Sequence, residues 1–254
     1  MSGDHPALTV ATYNIRSMRG DAAALVRVIT AMRPDVLCLQ EAPRFLLWRR
    51  RRRRLASATG MTVAAGRRVG GLAILAGPRI RVINAESRLL RGFLGLERRA
   101  MAVLVAEKDG RRVAVGCVHL DLLAAARLRH ATEAVVHLRR ICERHGARPV
   151  LAGDFNEEPG RPTFEFLTRR YADCFAVAPI GDGNTFTARH PRKRIDAIFT
   201  GPGLTAASCG VPAIDPADLA AASDHLPTLA ELLFHHHLGQ GRPAAEAPPR
   251  TISS

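Results

Sequence analysis

Short segments of alternating or continuous apolar residues recur along most of the chain, a pattern typical of β-strands. The first segment, from Leu8 to Ile15, is rich in residues with high β-propensity. Further strands are predicted at residues 35–41, 71–76, 79–85, 100–106, 112–119, 149–154, 194–200, 204–210 and 227–234. Asp109-Gly110 separates two of them and predicts a hairpin turn.

Two helices are predicted in the first quarter of the chain. Asp21 opens a helical pattern of apolar residues that ends before Pro34. A basic helix is predicted from Pro43 to about Ala58, and it contains six consecutive arginines, Arg49 to Arg54. Six helical residues cover every face of a helix, so we expect a solvated helix, with a contact to a phosphate backbone as the alternative.

A long helix is predicted over residues 122–145, with Gly146 as its stop. Its apolar stripe is predicted to consist of Leu128, Ala131, Val135, Leu138 and Cys142. His130 and His137 fall outside this stripe, so we expect both on the solvated surface.

The order of these elements predicts the fold class. Strands mix with a few helices, and several strands follow one another directly, which favours two packed sheets with helices outside, in the α/β (α+β) class. No repeat or linker divides the chain, so one domain is expected over residues 1–237. From residue 238 to 254 the chain consists mainly of Gly, Pro, Ala and polar residues, and we expect a disordered tail.

The composition is that of a globular protein with a sizeable core: 254 residues, 47% hydrophobic and 24% charged. We find no transmembrane segment and no secretory signal, and expect a cytoplasmic monomer. The five cysteines show no CxxC spacing. Cys38 and Cys117 fall inside apolar strands, where free thiols behave as small core residues, so a reducing compartment fits.

A formal net charge of +14 favours a nucleic-acid partner, but only modestly. Of the 37 basic residues only Lys108 and Lys193 are lysines, a bias towards arginine that a GC-rich coding sequence produces by itself. With 5% aromatic residues and none interleaved with the arginines, no stacking platform for single strands is predicted.

Chemistry-bearing side chains occur at the ends of the apolar strands. They are Asn14, Glu41, His119, Asp154, Asn156, Asp196, Asp224 and His225. Any one of these residues alone is better explained as a cap, turn or surface group. Unpaired carboxylates are costly to bury, however, so the whole set indicates a shared cation or a solvated cleft. Oxygen-rich ligands suit Mg²⁺ or Mn²⁺, and a metal ion with imidazoles predicts a phosphoester hydrolase.

Six fragments resemble the endonuclease/exonuclease/phosphatase superfamily in that family's order, between residues 8 and 233. They are Thr12-Tyr13-Asn14-Ile15, Leu39-Gln40-Glu41, Val118-His119-Leu120, Gly153-Asp154-Phe155-Asn156, Arg194-Ile195-Asp196 and Ser223-Asp224-His225-Leu226-Pro227. The resemblance implies a four-layer α/β/β/α sandwich. Because Asn14 is followed by Ile-Arg-Ser, and because His119-Leu120 is present, the chain resembles the deoxyribonuclease I-like and sphingomyelinase-like side rather than the abasic-site endonucleases.

The resemblance also implies metal ligands. Glu41 would be the principal ligand of a Mg²⁺ or Mn²⁺ ion, with Asn14 beside it and Asp224 near or on the site.

For catalysis, the resemblance implies that His225 is the general base and that Asp196 orients its ring. Asp154 and Asn156 would position the nucleophile and stabilise the transition state, and His119 would contact the phosphate or assist the leaving group. The implied reaction is in-line attack of water on a phosphoester.

Two arginines are candidate substrate-binding residues. Arg99 opens a strand much as in relatives, and Arg194 ends a basic cluster that leads directly into Asp196. A phosphodiester in DNA or RNA is the first hypothesis for the substrate, a lipid or small-molecule phosphodiester the second, and an inactive phosphate-binding protein the third. An exposed apolar loop near the cleft would favour lipid, and a basic groove across it would favour a polymer.

Overall fold

The computed structural model describes residues 8–235, which form two packed β-sheets with helices on the outer faces. The strands are β1 (Leu8–Asn14), β2 (Val36–Gln40), β3 (Thr62–Ala65), β4 (Ala73–Ala76), β5 (Arg81–Leu89), β6 (Ala100–Lys108), β7 (Arg111–His119), β8 (Arg148–Asp154), β9 (Ala172–Asp173), β10 (Pro179–Ile180), β11 (Asp196–Thr200), β12 (Leu204–Gly210) and β13 (Thr228–Phe234). The helices are α1 (Ala22–Met32), α2 (Trp48–Ala58), α3 (Ala124–His145), α4 (Pro162–Thr168), α5 (Cys174–Val177) and α6 (Pro216–Ala222), with a 3₁₀ turn at Arg16–Met18.

Both sheets are mixed. The seven-stranded sheet has the order β10-β12-β13-β1-β2-β4-β3, and the six-stranded sheet has the order β5-β6-β7-β8-β11-β9. The pairs β1–β2 and β7–β8 are parallel near the middle of their sheets, whereas most other neighbours are antiparallel. The predicted α/β/β/α sandwich is confirmed.

The core consists of three apolar layers. One lies between the sheets and contains Cys38 and Cys117, both buried as predicted. A second joins the seven-stranded sheet to α1, α2 and α6, and a third joins the six-stranded sheet to α3 and α4. Strand alternation sends successive side chains to opposite layers, so nearly every position of β1, β2, β6 and β7 is buried.

The long strands follow the sequence pattern closely, and the turn between β6 and β7 lies at the predicted Asp109-Gly110. Both residues have positive φ, as a two-residue hairpin turn requires. The elements that the pattern missed are short or exposed: α4 and α6 have seven residues each, and β3 is a four-residue edge strand.

The prediction of which residues form the buried face of α3 was wrong in part. Ala131 and Leu138 are buried as expected, but His130 is fully buried and His137 is half-buried, whereas Leu128 is only partly covered. Small alanines on the inward face let α3 approach the sheet closely, and His130 is accommodated there because its Nε2 lies 2.9 Å from the carbonyl oxygen of Arg91.

The prediction that the arginine helix is fully solvated was also wrong at one position. Arg52 is only 2% exposed, and its guanidinium donates to the carbonyl oxygens of Pro43 (2.9 Å) and Leu72 (2.7 Å). Burial lowers the pKa of Arg52 to about 10. The other five arginines of the run are exposed as expected.

Among residues 8–235, no helix combines the length and apolarity needed to cross a bilayer. The predicted tail at 238–254 lies outside the described residues, and the domain bounds of 1–237 stay a prediction.

Candidate active site

The strand-end residues lie together because strand direction and register align them. β1 and β2 are parallel and pair Asn14 with Gln40, which places Glu41 next to Asn14. In the other sheet His119 and Asp196 both pair with Asp154, from strands on either side of it. The same end of both sheets therefore carries most of the polar set.

Asn14 joins the two sheets by hydrogen bonds. Its Nδ2 donates to Asp154 Oδ2 at 3.0 Å and to Glu41 Oε1 at 3.3 Å, while its Oδ1 accepts from the backbone N–H of Arg16. A neutral amide between two carboxylates separates their charges and fixes the distance between the sheet ends.

His225 is a buried histidine paired with an aspartate. Its Nδ1 lies 2.8 Å from Asp196 Oδ2, and its Nε2 lies 3.8 Å from Asp154 Oδ2. Burial alone would lower the pKa of His225, but the charge and hydrogen bond of Asp196, helped by Asp154 and Asp224, outweigh it and raise the pKa to about 9. The imidazole is therefore a strong proton acceptor.

His119 lies in the same site with the opposite proton affinity. Its Nε2 is 3.5 Å from Asp154 Oδ2. Burial dominates here, Asp154 opposes it only in part, and the nearby Arg99 adds to it, so the pKa of His119 falls to about 4. Two buried histidines around one aspartate thus differ in proton affinity, since the pKa of His225 is raised and that of His119 is lowered.

Asp154 is the carboxylate that both histidines share. Burial and the charge of Asp196 raise its pKa, whereas the two histidines and Asn14 act in the other direction. Its Oδ1 accepts from the backbone N–H of Asn156 at 2.9 Å, and the Asn156 Nδ2 donates to the carbonyl oxygen of Leu120 at 3.0 Å. Asn156 therefore connects the loop that follows β8 to the loop that follows β7.

These side chains fit a hard cation. Asp154, Asp196 and His225 each offer a ligand atom, and the three atoms lie within 4.8 Å of one another. Asp196 Oδ1 is buried and has no hydrogen-bond partner among residues 8–235. An orphaned carboxylate oxygen beside a second buried carboxylate is costly unless a cation neutralises both, and oxygen donors suit Mg²⁺ or Mn²⁺.

The metal ligands that the resemblance implied, Glu41, Asn14 and Asp224, lie outside this group of three, and their role stays a prediction. Glu41 and Asn14 are in contact with each other, and Asn14 connects them to Asp154. The Oδ2 of Asp224 forms an ion pair with Arg16 Nε at 3.2 Å. A role for Asp224 on the metal stays a prediction.

A cavity of about 250 Å³ opens beside this cluster. It is lined by Ser17, Arg19, Glu41, Arg44, Phe45, Gly70, Gly71, Glu97, Arg99 and His119. Arg99 is only 7% exposed, and its buried Nε has no hydrogen-bond partner in the described part of the chain. Two carboxylates flank the guanidinium: Asp121 Oδ2 is 3.6 Å from Nε, and Glu97 Oε2 is 3.5 Å from Nη1.

Residues 11–225 match the sequence profile of the endonuclease/exonuclease/phosphatase family. The chain belongs to this family. No curated protein matches the sequence. The family consists of phosphoric ester hydrolases that are generally dependent on divalent metal ions, so the chain is an enzyme of that class.

Solved structures share the fold at low sequence identity. A mannosyl-6-phosphatase from Bacteroides thetaiotaomicron is 20% identical with a TM-score of 0.74, over 89% of this chain and 100% of that one. The human Nocturnin catalytic domain with bound sulfate is 19% identical with a TM-score of 0.68, over 91% and 96%. ANGEL2, a 2′,3′-cyclic phosphatase, is 16% identical with a TM-score of 0.68, over 89% and 95%. Identities this low show the shared fold alone.

The side chain of Arg194 packs against Asp173 and two phenylalanine rings. Its guanidinium donates to both carboxylate oxygens of Asp173, at 2.7 and 3.1 Å, and lies over the rings of Phe164 and Phe175. These contacts occupy its planar face and its donors. A role for Arg194 in substrate binding stays a prediction.

Sequence reasoning gave no role to two supporting hydroxyls. Ser223 Oγ donates to the carbonyl oxygen of Asn14 at 2.7 Å, and Thr185 Oγ1 accepts from the backbone N–H of Asp196 at 3.3 Å. Ser223 belongs to a fragment that resembles the family, so its position could have been found. Thr185 lies in a loop with no pattern that points to the site.

Proposed function

We propose that the protein is a divalent-metal-dependent phosphodiesterase that hydrolyses its substrate by in-line attack of water. The observation that carries the proposal is the buried group of Asp154, Asp196 and His225, with its unpartnered Asp196 oxygen. Two close carboxylates indicate a cation, and a histidine with a raised pKa beside them indicates proton transfer.

His225 is the base in this mechanism. Asp196 faces Nδ1 and fixes the ring, so Nε2 is the atom that takes a proton from the attacking water when the ring is unprotonated. The charged ring that results is stabilised by Asp196 and Asp154, the same carboxylates that raise its pKa to about 9.

His119 and Arg99 act on the phosphate. With a pKa of about 4, His119 is neutral near pH 7, so it contributes a hydrogen bond and not a positive charge. Arg99 supplies the positive charge in the same cavity. This division favours phosphate contact over acid catalysis as the role of His119.

Asp154, Asp196 and Glu41 would hold the Mg²⁺ or Mn²⁺ ion, with Asn14 keeping two of these carboxylates in place. A divalent ion bound there neutralises charge on the phosphate as the transition state forms. Asp154 and the neighbouring Asn156 also fix the geometry in which water approaches the phosphorus.

The test is hydrolysis of bis(4-nitrophenyl) phosphate with Mg²⁺, with Mn²⁺ and with EDTA. We expect metal-dependent turnover, and His225→Ala should reduce it by about 10²- to 10⁴-fold with an unchanged circular dichroism spectrum. His190→Ala, at an exposed histidine, is the matched control. Turnover that persists in EDTA, or a His225→Ala variant near wild type, would refute the proposal.

A further inference from the structure

Large apolar side chains are exposed on three loops around the catalytic cavity. They are Phe45, Leu46, Leu47, Leu94, Leu122 and Leu123, which we call the apolar rim. Leu94 is fully exposed, Leu46 is 85% exposed and Leu122 is 76% exposed. Outside the apolar rim, the exposed large apolar residues among residues 8–235 are valines, one isoleucine and one leucine. That leucine, Leu89, lines a neighbouring groove.

The first two loops are attached directly to the active site. Phe45 lines the catalytic cavity a few residues after Glu41. Arg44 of this loop forms an ion pair with Glu97, which belongs to the loop that carries Leu94. The ion pair connects the two loops across the wall of the cavity.

The third loop follows His119, the last residue of β7, and is held by α3. Arg127 donates to the carbonyl oxygens of Asp121 and Leu122, and the backbone N–H of Leu123 donates to Asp121 Oδ1. These bonds present Leu122 and Leu123 to solvent while Asp121 turns inward to Arg99. Exposure of the two leucines is therefore fixed by the structure.

A basic groove of about 610 Å³ adjoins the rim. Arg49, Arg67, Arg68 and Arg88 line it together with Trp48, Val69 and Leu89, and no carboxylate is among its lining residues within the described ranges. Gly70 and Arg99 line the catalytic cavity, and their chain neighbours Val69 and Ala100 line the groove, so the two share a wall. We call this surface the arginine groove.

Apolar tips beside a cluster of arginines match the surface of an anionic membrane. Exposed apolar side chains gain free energy by entering the boundary between headgroups and acyl chains, and arginines gain it from anionic headgroups. The rim is divided among three loops with charged residues between them. A fluid bilayer accepts separate tips, whereas a protein partner requires a complementary shape.

Nucleic acid is the less favoured occupant. The arginine groove alone would suit a phosphate backbone, but exposed leucines next to it gain nothing from a hydrated sugar-phosphate chain. The leucines also outnumber the aromatic residues on which bases could stack.

We propose that the apolar rim and the arginine groove dock the enzyme on an anionic lipid surface, and that its substrate is a phosphodiester in a lipid headgroup. This inference rests on the proposed function for its chemistry, and on the rim for its location. The rim enters the outer layer of the bilayer, the groove contacts neighbouring anionic headgroups, and the cavity between them receives the scissile phosphate.

The first test is sedimentation of the full chain with vesicles of phosphatidylcholine, alone or mixed with phosphatidylglycerol. We expect binding to the mixed vesicles. The variant Leu46→Ser/Leu94→Ser/Leu122→Ser should bind at least about tenfold more weakly, because three exposed leucines are lost. Val82→Ser/Val136→Ser/Val177→Ser is the matched control, since these exposed valines lie outside the three loops, and it should bind like wild type.

Hydrolysis of bis(4-nitrophenyl) phosphate is measured on the same three proteins. We expect equal turnover, because none of the substituted residues lines the catalytic cavity. Vesicle binding without turnover of any phosphodiester would refute the proposed function and leave the docking surface standing. Turnover without vesicle binding would refute the docking surface and the lipid substrate together, and leave the proposed function standing.

Two further outcomes would overturn the inference in favour of another occupant. One is nicking of supercoiled plasmid that Arg67→Gln/Arg68→Gln abolishes, with no binding to vesicles, which would assign the groove to nucleic acid. The other is a dimer in analytical ultracentrifugation that the triple leucine variant dissociates, again with no vesicle binding, which would assign the rim to a second copy.

Discussion

The inside of the site and its rim lie on the same strand ends but have opposite chemistry. Inside, Asp154, Asp196 and His225 are ionisable groups almost without exposure, and one carboxylate oxygen of Asp196 has no hydrogen-bond partner among residues 8–235. On the rim, Leu46, which comes shortly after Glu41, and Leu122, which comes shortly after His119, are apolar groups exposed to solvent. Both arrangements cost free energy in the protein alone. Each becomes favourable when a ligand is present, a cation and phosphate inside and an apolar surface outside.

The two regions also differ in what fixes them. Sheet register places the inner residues, since His119 and Asp196 pair directly with Asp154. Loops that extend from the sheets carry the rim, and they depend on a few tertiary contacts such as Arg44 with Glu97. Chemistry and docking should therefore respond to different substitutions.

Among substitutions that should change turnover without changing vesicle binding, Asp196→Asn is expected to have the largest effect. The neutral amide removes the charge of Asp196, the residue that contributes most to raising the pKa of His225, so that pKa would fall from about 9 even though Asp154 and Asp224 still raise it. Turnover should fall by about 10²-fold or more because the ring loses its orienting partner. Vesicle binding should not change.

The shift of His225 can be measured without turnover. NMR of the metal-free protein should show its imidazole losing the proton at a lower pH in Asp196→Asn than in wild type. His225 acts as a base when unprotonated. The rising limb of the pH–rate profile should therefore also move to lower pH in Asp196→Asn. An unmoved His225 titration would contradict the assigned pairing.

Arg52→Ala is expected to affect stability more than either function. Arg52 satisfies carbonyl oxygens at the start of the first rim loop and in the Leu72 segment, so its loss leaves buried acceptors unpaired. We expect the free energy of unfolding to fall by about 2–4 kcal/mol, measured by urea denaturation. Arg54→Ala, exposed on the same helix, should change it by less than about 0.5 kcal/mol. Equal losses in the two variants would show that the buried bonds contribute little.

A smaller effect is expected inside the site for Glu41→Gln. The amide keeps the shape and the contact with Asn14 but removes one negative charge from the proposed metal ligands. The Mg²⁺ concentration for half-maximal turnover should rise by about tenfold or more. Turnover at saturating metal should fall less than in Asp196→Asn, and an unchanged metal requirement would remove Glu41 from the ligand set.

The sequence predicted the inner site much better than the rim. Asp154 and His119 end apolar strands, and because parallel strands align their ends, their proximity follows from the pattern. The burial of Arg52 and His130 was missed because both depend on carbonyl oxygens from distant segments. The rim was missed for the same reason, since alternation carries no information about loops.

The smallest predicted effect tests the electrostatic half of the docking surface. Arg67→Gln removes one charge from the arginine groove and should weaken binding to phosphatidylglycerol-containing vesicles by about fivefold, from about 1 kcal/mol per arginine near an anionic surface. Arg53→Gln, exposed on α2 outside the groove, is the control of equal charge. The difference between the variants should shrink as salt rises, because exposed charges are screened. Equal losses in both variants would mean that overall charge attracts the enzyme to the surface, and that the groove has no specific part in docking.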